Sequence, residues 1–113
     1  MDVEKWGFIS KYLKLSNVRD EVYKWVKEAY ECGYDEISDG ITAMPELNFT
    51  KFSLKHPLGV MHDYLYETGH LSRKEADKLF AAGLKDLGHK IRSKTWYLGL
   101  RLFGWYYWNK ARK

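Results

Sequence analysis

The sequence predicts a mainly α protein. It reads as a small helical domain built on an antiparallel helix hairpin at 57–88, with a C-terminal aromatic helix and a short irregular or β-hairpin insertion at 34–56. Three observations predict this. Apolar residues recur at helical spacing over most of the chain. Residues that start and stop helices bracket two of those stretches, with only about three residues between them. Turn formers gather instead between 34 and 56. With 113 residues, one domain over 1–113 is expected, since a chain of this size builds one core.

In the N-terminal helical part, 1–33, Val18, Val22, Trp25, Val26 and Ala29 fall on one helical face. Asn17 is placed to cap the start of that helix and Gly33 to end it. Residues 34–56 hold Asp35, Asp39, Gly40, Pro45 and Asn48, with short β-prone pieces at Ile41-Thr42 and Asn48 to Phe52. They read as loop with a hairpin option.

The hairpin is the clearest part. Pro57 suits the first helical position and Gly69 suits a terminator, which gives a helix over Pro57–Thr68. Ser72-Arg73-Lys74-Glu75 is a capping box, in which the Ser hydroxyl and the Glu carboxylate each take a free amide. The helix it starts carries Ala76, Leu79, Phe80, Gly83, Leu84 and Leu87 on one face and stops at Gly88. So short a connection makes the two helices antiparallel neighbours. A last helix, near Ser93 to Ala111, is apolar on most sides and is interrupted only by Arg101. Such a helix is either deeply buried or leaves a face for a partner or membrane surface.

Charge is distributed unevenly. Residues 89–113 carry seven Lys and Arg and no acid, whereas residues 1–88 sum to −3. The basic end is also the most aromatic, so phosphates of nucleic acid or of lipid headgroups are the partners to weigh against a plain solvated helix. No apolar run approaches the roughly 18 residues that span a bilayer, and the first residues lack the pattern of a signal peptide. Cys32 is the sole cysteine, which excludes an internal disulfide and a cysteine-based zinc site, and it reads as a half-buried structural thiol. His56, His70 and His89 lack metal-ligand spacing and read as surface or helix-terminal residues. Asp35, Glu36 and Asp39 form an acidic loop that has cation-binding residue types but needs no cation. There is no phosphate-cradling glycine motif and no nucleic-acid-binding signature, so nucleic acid is not an expected partner.

The chemistry concentrates in the hairpin. His62, Asp63 and Tyr66 share one stripe of the first helix with Gly59, and Asp77 sits at the edge of the second helix's apolar face. At ~1.5 Å rise per residue, His62 and Asp77 come to axial heights within about 2 Å of each other. A His62–Asp77 hydrogen bond across the seam is therefore expected. It would fix the imidazole tautomer and leave the other ring nitrogen to take a proton from water. Asp63 would point away, free to hold a hard cation, with Asp39 as a weaker second candidate. The same His–Asp–Tyr set can also simply staple two helices together.

Four blocks make the sequence recognisable. They are Asp39-Gly40-Ile41-Thr42-Ala43-Met44-Pro45, His62-Asp63-Tyr64-Leu65-Tyr66, Ser72 through Phe80, and Leu100-Arg101-Leu102-Phe103-Gly104. Over about residues 37–108 the chain resembles a domain-of-unknown-function family common in tailed bacteriophages and prophages. The His-Asp-x-x-Tyr helix followed by an Ala-Asp helix also resembles the core of secretory and parvoviral phospholipase A2. That resemblance implies His62 as general base, Asp77 and Tyr66 as its supports, and Asp63 as a calcium ligand. The glycine-rich calcium loop of those enzymes has no good counterpart, Asp39-Gly40 and Leu58-Gly59 being poor stand-ins.

Two functions follow. One is a phage-type hydrolase of phospholipid esters, with calcium as cofactor. Its C-terminal Trp105, Tyr106, Trp108 and Arg101 would meet an anionic membrane. The other is a non-enzymatic virion or host-interaction protein, with other virion proteins as partners and a purely structural His–Asp–Tyr network. Either fits the host cytoplasm or the virion.

Overall fold

The computed structural model describes residues 3–37 and 56–112. Seven helices follow one another within them: α1 (Val3–Leu15), α2 (Asp20–Glu31), α3 (Tyr34–Ile37), α4 (Pro57–Thr68), α5 (Arg73–Asp86), α6 (Lys90–Phe103) and α7 (Trp105–Ala111). No strand occurs among the described residues, so the mainly α expectation holds. The β-prone pieces at Ile41-Thr42 and Asn48 to Phe52 lie outside the described residues. No helix described is long and apolar enough to cross a membrane.

α4 is the central element, packing against α2, α5 and α7. Its residues from Pro57 to Met61 are buried, as are His62, Tyr64, Leu65 and Tyr66. A helix apolar on nearly every side must be covered nearly all round, and here only Glu67 and Thr68 of the last turn are exposed. Leu58, Val60, Met61 and Leu65 meet Val22, Val26 and Ala29 of α2 and Ala76, Phe80 and Leu84 of α5 in one core. α6 lies along α5, where the Ser93 hydroxyl donates to the Ala81 carbonyl at 2.6 Å.

The expected hairpin signals work as expected. Pro57 opens α4, and Gly69 closes it with φ 71°. Ser72 and Glu75 form the reciprocal capping box of α5. Gly88, at φ 93°, ends that helix as a residue without a Cβ can.

Elsewhere the structure corrects the expectations. Asn17 is not the cap of α2; at φ 59° it closes α1, with Val18 N–H bonding back to the Leu13 carbonyl. Asn tolerates the left-handed region, so the residue that reads as a start is a stop. Arg19 takes the N-cap position of α2 without a side-chain cap bond. Its guanidinium instead makes a two-pronged contact with Asp86 at 2.8 and 2.9 Å, and its backbone N–H donates to the same carboxylate. Residues 34–37, read as loop, form one helical turn that starts when Glu36 N–H bonds the Gly33 carbonyl. One turn is too short to show a helical period. The last helix begins earlier, at Lys90, and breaks at Gly104 into α6 and α7. Cys32 is exposed rather than half-buried, with Sγ 3.7 Å from the Tyr64 hydroxyl.

Candidate functional site

The hairpin brings His62 of α4 and Asp77 of α5 together at the seam. His62 Nε2 lies 2.8 Å from Asp77 Oδ1, and the Tyr66 hydroxyl donates to the same oxygen at 2.6 Å. The expected pairing is present, atom to atom. His62 and Tyr66 stand one helical turn apart on α4, which lets both reach a single carboxylate oxygen.

The other oxygen is served by arginines. Arg101 Nη1 of α6 donates to Asp77 Oδ2 at 3.1 Å. Arg73, four residues before Asp77 on α5, lies 3.8 Å from that oxygen and donates to the Leu100 carbonyl at 3.0 Å. Asp77 is wholly buried, with its partners arranged on both sides. Burial alone would raise its carboxyl. Hydrogen bonds from His62 and Tyr66, with Arg101 beside it, outweigh that and hold it below the usual carboxylate value. Asp77 is therefore an acceptor only, and the proton of the short contact sits on His62 Nε2. In the neutral imidazole, Nδ1 is then the basic nitrogen. Burial and the bond to Asp77 push the Tyr66 phenol well above its ordinary value, so it stays a donor.

Rings form the walls. The imidazole packs against Tyr66, with centroids 4.2 Å apart, and against Phe80 at 5.2 Å. Tyr66 meets Trp108 of α7 edge-on at 5.4 Å. His62 is 2% exposed and Asp77 fully buried, while the Arg101 side chain is 30% exposed.

Asp63 is half-buried beside His62 and is engaged with a neighbour of its own. Among the described residues no group of three metal-binding side chains occurs, so a cation on Asp63 would take its remaining ligands from backbone carbonyls and water. Asp39 lies outside the described residues. Of the residues read as an interface, Trp105 and Tyr106 are exposed, at 54% and 55%. Trp108 is half-buried against Tyr66, and Arg101 reaches inward to Asp77.

Residues 43–100 match the model of a protein family described as "Protein of unknown function (DUF1353)". That stretch runs through His62, Tyr66, Arg73 and Asp77 and covers half of the chain. The chain belongs to the DUF1353 family. No curated protein and no solved structure gives a significant match.

Sequence reasoning missed Arg73, Arg112 and Gly104 as contributors to this network, and it placed Arg101 at a membrane rather than on Asp77. Arg73 had a signal, the i,i+4 spacing to Asp77 on one helix face. Arg101 had a better one, as the lone charge in an apolar stretch, which must find either solvent or an acid. Arg112 and Gly104 had none. Arg112 donates to the Tyr66 and Glu67 carbonyls at the end of α4 and stacks on Trp108, 4.2 Å from its ring. Gly104 lies against the Tyr66 hydroxyl.

Proposed function

We propose that this chain is a phage-type hydrolase of phospholipid esters, with His62 as its general base. The observation that carries the reading is the contact between His62 Nε2 and Asp77 Oδ1 at 2.8 Å, shared with Tyr66. It commits one imidazole nitrogen to a carboxylate and leaves Nδ1 as the proton acceptor. The resemblance to phospholipase A2 supports the assignment, because the residue types, their order and the antiparallel helices agree.

In the reaction, Nδ1 removes a proton from water as the water oxygen bonds to the ester carbonyl carbon. The resulting imidazolium is held by Asp77 through Nε2, and Tyr66 keeps the carboxylate in place. Collapse of the tetrahedral adduct breaks the bond to the alcohol oxygen, which takes the proton back from Nδ1.

Phospholipid vesicles of mixed headgroup composition, incubated with the protein with and without millimolar calcium, test the reading. Fatty acid release that is lost on His62→Ala supports it; no release by the wild type under either condition overturns it. Dependence on calcium would support Asp63 as a cation ligand.

A second reading is favoured by one observation: Asp77 is fully buried and already satisfied by two arginines as well as by His62 and Tyr66. Such a network suits a non-enzymatic virion or host-interaction protein whose hairpin is held rigid. It predicts no hydrolysis and a loss of stability on removal of any member.

A further inference from the structure

α6 and α7 carry apolar residues on two opposite faces. The inner face presents Trp96, Leu100, Gly104 and Trp108, of which the three side chains pack on the core. The outer face presents Ile91, Leu98, Leu102, Trp105 and Tyr106, all more than half exposed. At ~100° per residue these five form one stripe. The stripe continues across the break because Gly104 keeps right-handed helical angles, φ −65° and ψ −21°. Phe103 and Tyr107 extend the exposed apolar surface beside it, at 69% and 66% exposed. No residue of α7 is buried.

The flanks of the stripe are cationic. Arg92 and Lys110 lie along one edge, and Lys90 and Lys94 along the other, all exposed. Arg101 and Arg112 are turned inward, to Asp77 and to the end of α4. Residues 89–113 contain no acid at all. A second copy docking here would set like charges against one another along both edges, so the surface is built for an anionic partner. Its ring types decide which: Trp and Tyr with polar edges, over Leu and Ile, between basic flanks, are what the headgroup boundary of a bilayer favours.

The geometry points to the outer face of α6–α7 as a docking surface for an anionic lipid bilayer, with the apolar stripe set into the headgroup boundary and the four flanking cations on lipid phosphates. The assignment rests on this surface alone and stands whether or not His62 hydrolyses anything. The same two helices supply Arg101 to Asp77 and Trp108 to Tyr66, so the docked face is the reverse side of the wall that closes the His62 network.

Co-sedimentation with vesicles, read together with Trp emission, tests it. Vesicles of phosphatidylcholine with added phosphatidylglycerol should bind the protein at least about tenfold more tightly than phosphatidylcholine alone. Binding should shift Trp emission to the blue. Trp105→Ala with Tyr106→Ala should remove the shift and most of the binding. Arg92→Glu with Lys94→Glu should remove the preference for anionic lipid. These positions are exposed, so the fold tolerates the changes. His62→Ala should bind as the wild type does, which separates docking from hydrolysis. Equal binding to both vesicles, no binding to either, or full binding by the Trp105/Tyr106 variant overturns the proposal. So does a dimer in sedimentation that the same variant dissolves, since the face would then belong to a second copy.

Discussion

The Tyr66 hydroxyl occupies the space in which a side chain at Gly104 would begin. A Cβ built on Gly104 would press on the Leu100 carbonyl oxygen and lie 2.5 Å from that hydroxyl and 3.2 Å from Arg73 Nη1. Gly104 thus lets the helix break approach the buried network closely, and the network in turn needs that position bare.

Gly104→Ala should therefore destabilise the protein by about 1–3 kcal/mol, the usual cost of forcing an extra methyl into a filled space. Tyr66 is held by Asp77 and by packing against Trp108, so it has little room to withdraw. Urea denaturation of wild type and variant checks this. An unchanged midpoint would show that the α6–α7 junction and Tyr66 can give way freely.

Asp77→Asn should cost about 3 kcal/mol, because it strips the charge that two partly buried arginines face. The pH dependence has a definite sign. The folded carboxyl lies below its unfolded value, so its contribution is complete above about pH 4 and fades as pH falls through the folded value. Acid titration of stability should show this loss in the wild type and not in the variant.

His56 offers a test of opposite chemistry. Its Nδ1 accepts the Leu58 N–H at 3.1 Å and so caps α4, and the ring is buried. Burial, with His89 nearby, lowers its value from 6.5 to about 3. A base lowered on folding stabilises the fold while neutral, and that stability is lost as pH falls from about 6.5 towards about 3. Between pH 7 and pH 5 the loss should approach about 2 kcal/mol at ~1.36 kcal/mol per pH unit. His56→Asn keeps a capping acceptor without a titratable ring, and its stability should fall less over that range.

The hairpin was legible because its signals are local. Pro57, Gly69, Ser72 and Glu75 act within a few residues of themselves, and helical rise alone aligns His62 with Asp77. What stayed hidden depends on distant partners. Nothing near Arg19 in the chain points to Asp86, and nothing near Arg112 points to the Tyr66 carbonyl. Asn17 misled because one side chain serves both as an N-cap and as a left-handed stop. His56 read as a surface or end residue, and it is indeed at a helix end. Its burial comes from the long-range core that closes over the start of α4, which periodicity does not show.

The central claim, that the paired imidazole works as a base, is tested most directly by one comparison. His62→Ala is measured for fatty acid release and for unfolding in the same preparation. A working base predicts release reduced by at least about 10²-fold in a protein that remains folded. Release at the wild-type rate from the folded variant would contradict the account and leave His62 a tie between two helices.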